Sequence, residues 1–295
     1  MKNRLFFIPP FVIIIALFIV GTFLDLNISS SIVQAGNHLS AFFSGFVSVP
    51  IFFGLTFASG AFIKLAIIRY KKLKHRIFTA IFVLFTTALS ILIGGKNFAS
   101  YEAYQLSTTF SILVGVIITI PGLICGFFFY KCIDSPNLIK VCALIVISVI
   151  ITYVFAFGIK YSVSRVRYIF LVETSLDFYR PWYSPNLSPE IIEVIKAINK
   201  DGIKSFPSGH SNFAMCVAFM LMYLPRINNK LMKYQGLLSI IGFIYFFFIA
   251  FTRIFAGMHY LSDTMMSGFI SLFVYFIANE IYMRKLNNED KKNNA

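Results

Sequence analysis

Residues 138–159 read LIKVCALIVISVIITYVFAFGI, and the residue that follows is Lys160. A run of that length, with Lys140 as its single charge, is enough to cross a hydrocarbon layer of about 30 Å as a helix. Seven more apolar runs lie on either side of it, at approximately 6–24, 42–67, 77–94, 109–130, 211–225, 235–252 and 262–283. The run at 211–225 is short by the length rule and is retained because the helix can start at Ser208 to His210, below the membrane surface. Hydrophobic residues make up 58% of the 295, with 36 Phe, well above the share in an ordinary soluble domain. The expected fold is all-α, a polytopic transmembrane bundle of about eight helices forming one integral membrane domain. Within it, 1–137 supply N-terminal helices and 138–283 a core, and 284–295, rich in Asn, Lys and Asp, are expected to be disordered.

Lys and Arg in short loops set orientation. With Lys2 and Arg4 in the cytoplasm, the same side receives Arg69, Lys71, Lys72, Lys74 and Arg76, then Lys131 and Lys140, then Arg226, Lys230 and Lys233, then Arg284 and Lys285. The opposite loops at 25–41 and 95–108 hold only Lys96. Both termini are therefore expected in the cytoplasm. The net charge of +14 sits largely in these cytoplasmic segments, where it orients the chain against anionic headgroups, so no nucleic-acid partner is expected. Cys125, Cys132, Cys142 and Cys216 show no CxxC spacing and indicate neither a metal site nor a disulfide framework. Lys-, Asn-, Ile- and Phe-rich usage points to an AT-rich bacterial genome, and the expected location is the bacterial plasma (inner) membrane.

The chain makes its one long polar excursion between Lys160 and Pro207. Ser188-Pro189-Glu190 reads as a helix start, and Ile191, Ile192, Val194, Ile195 and Ile198 follow with charges between them. That pattern predicts a helix lying on the membrane with its apolar face down. Trp182, the only Trp, reads as an interfacial anchor.

Three charge clusters fall on the outer side. Lys160 and Arg167, seven positions apart, would face the same way on a continued helix, and a Lys beside an Arg fork suits a phosphate. Arg165 between them is a possible further cation. Pro207-Ser208-Gly209-His210 precedes a helix, whose unsatisfied N–H groups make an anion cradle that Gly209 lets a ligand approach. Arg253 is followed by His259 and Asp263, whose spacing of four is one helical turn and lets the carboxylate orient the imidazole.

Lys160 with six residues before Arg167, then Pro207-Ser208-Gly209-His210, then Arg253 with five residues before His259 and three more before Asp263, resemble the three signature motifs of the type 2 phosphatidic acid phosphatase (PAP2) superfamily. The resemblance covers roughly residues 156–280. It departs from the family pattern at Tyr168, where Pro usually follows the Arg, and at Thr252, where Ser usually precedes it. Five spans precede the first motif, whereas the family core has three. The resemblance implies a membrane-surface site that removes phosphate from a lipid phosphate without a metal or other cofactor. It implies His259 as nucleophile oriented by Asp263, and His210 as general acid and then base. Lys160, Arg167, Ser208, Gly209 and Arg253 would hold the phosphate oxygens. The partners expected are membrane lipids and one lipid phosphate substrate, such as phosphatidic acid, phosphatidylglycerol phosphate, a polyprenyl pyrophosphate or a lipid A phosphate. Two other readings stay open: a phospho-headgroup transferase using the same site, and a non-enzymatic transporter or scaffold.

Overall fold

The computed structural model describes residues 7–69, 71–96, 107–132 and 135–293. Among these residues all regular structure is helical: α1 (Ile8–Ile32), α2 (His38–Phe46), α3 (Val49–Ile68), α4 (Leu73–Leu89, continued by a π turn over Ser90–Gly94), α5 (Thr108–Phe129), α6 (Ser135–Ser162), α7 (Tyr168–Thr174), α8 (Pro189–Ile198), α9 (Gly209–Ile227), α10 (Gln235–Phe255) and α11 (Leu261–Asn293). Seven stretches among the described residues are long and apolar enough to cross a membrane, which makes the protein a polytopic helical bundle. The short run at 211–225 is the one not among them, because α9 begins with Gly209, His210, Ser211 and Asn212. The run at 42–67 is split between α2 and α3, with Ser48 as N-cap and Pro50 in the first turn of α3. At the other end α11 continues through Asn293, where a disordered tail was expected. Residues 284–293 contain no Pro or Gly to stop a helix already running.

The chain forms two compact units, one of residues 1–37, 144–216 and 243–295, the other of 38–143 and 217–242. The first helix thus joins the motif-bearing segments instead of the other helices that precede them in sequence.

In the second unit, α3 and α5 approach closely through small residues. A Cβ on Gly126 would lie 1.8 Å from the Phe57 carbonyl oxygen, and one on Gly60 2.0 Å from that of Leu123. Buried hydroxyl pairs, Ser59 with Thr86 at 2.6 Å and Thr119 with Ser90 at 2.7 Å, add polar ties where water is absent. Gly126→Val is therefore expected to cost about 3 kcal/mol, since it collides with backbone that has no rotamer to yield. Gly158→Ala is expected to be neutral, because its Cβ meets nothing within 4 Å. Melting temperatures of the two variants in detergent check the contrast.

In the motif-bearing unit, α1 lies along α11. Phe7 packs edge-on against Phe276, and Phe11 against Phe269, at ring distances of 5.7 and 5.3 Å. Gly21 faces Ser262 so closely that a Cβ there would be 2.6 Å from the Ser262 nitrogen.

The segment between α6 and α9 has a core of its own: Val166, Phe170, Leu187, Ile195 and Ile203, with Ile191, Ile192, Leu171 and Phe178 packed against it. Helix α8 forms where expected, and Ser188 Oγ accepts the Ile191 amide as N-cap. Of the apolar stripe of α8, Ile191, Ile192 and Ile195 pack on that core, while Val194 and Ile198 are more than half exposed. Trp182 is partly buried and makes contacts within the fold. Its ring stacks on Phe206 at 5.4 Å, and its indole N–H donates to Thr22 Oγ1 of α1 at 3.1 Å, so the adjoining apolar surface of the fold claims the ring.

Candidate active site

The segment after α6 does not continue the helix. Residues 163–167 are irregular, and Arg167 is the N-cap of α7. Lys160 and Arg167 are consequently on different elements, and not on one helix face as their spacing suggests. Arg165 and Val166, in this irregular segment, are both buried. Backbone hydrogen bonds then lace this segment to the other two motif regions. Ser205 donates to the Arg165 carbonyl at 3.1 Å, Arg167 to that of Gly202 at 2.8 Å, Ile169 to that of Gly257 at 2.8 Å and Ser208 to that of Asp263 at 3.1 Å. Gly257 adopts φ +69°, and a Cβ there would press on Ile169 at 3.2 Å, so the turn between α10 and α11 requires glycine.

Tyr168 takes the first position of α7, with its ring edge-on to Tyr260 at 6.3 Å. A first helical position accepts Pro readily, so the backbone keeps its course whether Pro or Tyr stands there. Thr252 is buried, its hydroxyl bonded to the Ile249 carbonyl at 2.8 Å.

His259 lies in the turn before α11, outside the helix that holds Asp263. The one-turn spacing therefore does not place the two side chains on one helix face. His259 Nδ1 stands 2.6 Å from the Ser205 carbonyl oxygen and 3.8 Å from Asp263 Oδ2, too long for a hydrogen bond. A carbonyl only accepts, so Nδ1 carries the proton and Nε2 is left with a lone pair. Burial, reinforced by Lys160 and Arg253 and opposed by Asp263, lowers the pKa of the ring to about 3 and keeps it neutral.

Asp263 acts one step back. Its Oδ2 accepts the Ser205 hydroxyl and the Tyr260 amide, the latter at 2.8 Å. Tyr260 precedes the first residue of α11, so Asp263 reaches back to cap its own helix as the carboxylate of a capping box does. The carboxylate thereby fixes both the turn that bears His259 and the residue whose carbonyl orients it.

The cationic side of the site comes from Lys160, Arg167 and Arg253. Arg253 is buried, and its carbonyl accepts the amides of Met258 and His259 at 3.1 and 3.3 Å. Arg167 Nη1 donates to the Met258 sulfur at 3.4 Å. His210, one residue ahead of the run 211–225, is held well below its ordinary pKa by burial and by the fields of Arg253, His259, Lys160 and Arg167. These five residues from three regions of sequence therefore share one electrostatic environment. Gly209 starts α9, and a Cβ on it would meet nothing within 4 Å, so space for a ligand stands in front of its backbone. Ser208 differs from its sequence reading. It is fully buried, its amide is spent on Asp263, and its Oγ accepts the Ser211 amide at 3.3 Å, so it caps α9 and shapes the turn. Ser267 Oγ clasps the Ser208 carbonyl at 2.6 Å from the far side.

Arg165 is no part of the cationic face. Its guanidinium is buried and donates to Asp263 Oδ1 at 2.5 Å, to Asp25 Oδ2 at 2.9 Å, to Ser262 Oγ at 2.8 Å and to the Arg180 carbonyl at 3.2 Å. The Tyr260 ring covers it at 4.0 Å. Burial alone would lower its pKa, but Asp263 and Asp25 outweigh that and raise it. Ser205, Ser262 and Asp25 were not singled out from sequence. Asp25 did leave a signal, as the lone ionisable residue of α1, placed at the end of its apolar run.

A family model described as the PAP2 superfamily matches residues 137–286. No curated protein and no solved structure matches the chain. The matched segment runs from the first turn of α6 into α11, takes in just over half of the chain and contains all three charge clusters, and on that match the chain belongs to the PAP2 superfamily.

Proposed function

We propose that the protein, whose membership of the superfamily supports a phosphatase-type function, is a metal-independent lipid phosphatase that works through a phosphohistidine at the extracytoplasmic membrane surface. The observation that carries this reading is the hydrogen bond of His259 Nδ1 to the Ser205 carbonyl, which leaves Nε2 with the lone pair a nucleophile needs. Nε2 attacks phosphorus and the bond from phosphorus to the lipid oxygen breaks. His210 gives a proton to that oxygen, so that a neutral lipid alcohol leaves. Water then attacks the phosphohistidine while His210 takes a proton back. Free phosphate departs and His259 is restored. Lys160, Arg167, Arg253 and the Gly209 amide hold the non-bridging oxygens throughout, and such electrostatic positioning is the main source of rate in phosphoryl transfer. The same cations that disfavour a charged His210 in the open site are neutralised by an arriving phosphate dianion, which favours the protonated acid when it is needed. The outward placement is supported by the Lys and Arg distribution of the remaining loops.

The test is phosphate release by the purified protein in detergent from phosphatidic acid, phosphatidylglycerol phosphate, a polyprenyl pyrophosphate and a lipid A phosphate. Release from at least one of them, at a rate unchanged by excess EDTA, is expected. Abolition by EDTA would refute the metal-independent mechanism. Headgroup transfer to an added acceptor lipid with no free phosphate would refute hydrolysis and favour a transferase.

A further inference from the structure

A carboxylate in the apolar interior of a membrane protein is costly unless it is fully engaged. Asp25, in α1, is 1% exposed. Its Oδ2 takes the Arg165 guanidinium at 2.9 Å and the Ser262 hydroxyl, while its Oδ1 accepts the Ser262 backbone amide at 3.0 Å. Ser262 is the second residue of α11, and its amide is one of those a helix start cannot satisfy internally. The start of α11 is therefore capped twice, by Asp263 from within and by Asp25 from another helix.

We propose that Asp25 is a positioning residue of the active site, acting through Arg165 and Ser262 on Asp263, and through Asp263 and Ser205 on His259. The proposal rests on the reading of His259 as nucleophile. Each link is a hydrogen bond between groups at most 2% exposed: Asp25 to Arg165, Arg165 to Asp263, Asp263 to the Ser205 hydroxyl, and the Ser205 carbonyl to His259 Nδ1. The approach that makes it possible is local to α1, where Gly21 leaves room for Ser262 to come against the helix one turn before Asp25.

Charge supplies a second reason for the carboxylate. One guanidinium is shared by two carboxylates, so with both ionised the group behind His259 carries a net negative charge, while Lys160, Arg167 and Arg253 lie among the phosphate-facing residues. When Nε2 bonds to phosphorus the imidazole gains positive character and its Nδ1–H donates more strongly. A net negative charge behind the ring favours that state over the resting one, which raises kcat without tightening substrate binding. Without the Asp25 charge, Arg165 is left to neutralise Asp263 alone.

The experiment compares Asp25→Asn, Gly21→Ala, Thr22→Val and His259→Ala with the wild-type full chain in detergent. It measures kcat, KM and melting temperature on the best lipid phosphate, together with affinity for orthovanadate. Asn keeps an oxygen for the Ser262 amide but removes the charge. Asp25→Asn is expected to lower kcat about 30-fold with KM within about twofold, and to weaken vanadate binding by about tenfold. Gly21→Ala displaces the carboxylate without neutralising it and is expected to lower kcat about tenfold, which keeps the proposal testable should Asp25→Asn fail to fold. Thr22→Val cuts the tie of α1 to Trp182 and leaves Asp25 in place, so its kcat is expected to stay within about twofold. Wild-type kcat in Asp25→Asn or Gly21→Ala, or an equal loss in Thr22→Val, would overturn the proposal and reduce Asp25 to a structural tie. An active His259→Ala would instead overturn the nucleophile itself, whatever the Asp25 variants show.

Discussion

His259→Ala is expected to lower phosphate release by at least about 10⁴-fold, because it removes the Nε2 lone pair proposed to attack phosphorus, while the remaining cations can bind phosphate but not accept it. The sharper readout is covalent. Wild-type protein quenched during turnover of a ³²P-labelled lipid phosphate should carry label that is stable in alkali and lost in acid, as a phosphorus–nitrogen bond is, and His259→Ala should carry none. Label that persists in the variant would move the nucleophile elsewhere. The protonation state gives an independent check. With its pKa lowered to about 3, His259 is neutral over the whole working range, so an acid limb of the rate profile above that value belongs to another group. The sign for stability follows from the same shift. Between the ordinary value of 6.5 and about 3, the unfolded chain holds a proton on this ring that the folded chain does not, so His259 costs stability as the pH falls through that window.

Arg165→Leu is expected to be the most damaging change outside the three clusters, costing about 3–5 kcal/mol, because it leaves two buried carboxylates facing each other without their common partner. Arg165→Lys restores little, since an ammonium cannot reproduce the planar fork that reaches Asp25, Asp263, Ser262 and the Arg180 carbonyl together. Thermal unfolding in detergent measures the loss. Adding Asp25→Asn to Arg165→Leu should recover part of it by removing one of the two charges, so the double variant is more stable than the sum of the singles predicts. Additive losses, or an Arg165→Leu variant within about 1 kcal/mol of wild type, would show that the three charges do not act as a unit.

What the sequence discloses here is what depends on length and spacing. The spans appear because roughly 20 apolar residues are needed to cross a bilayer, but the helices overrun them where polar residues follow, as α1 does to Ile32 and α11 to Asn293. The chemical residues appear because phosphate demands particular types, and most of these enter one electrostatic environment. What stays hidden depends on which distant group claims a side chain. Arg165 reads as one more loop cation until Asp25, 140 positions away, is seen bonded to it. His259 and Asp263 suggest a direct pair, yet the helix begins between them and the carbonyl of Ser205 intervenes. In each case the local pattern is sound and a long-range contact of higher energy overrides it.

The segment between α6 and α9, folded around Val166, Phe170, Leu187, Ile195 and Ile203, bears on how a lipid would arrive if the proposed function holds. Its centre is packed like a small globular module, and a packed core yields in discrete steps instead of deforming smoothly. Val166 of that core directly precedes Arg167, and Ile203 lies two residues before Ser205, so on the proposed phosphatase reading a rigid wall borders the site. Discrimination among lipids would then rest on headgroup bulk more than on acyl chains, which stay dissolved in the bilayer while only the polar end is admitted.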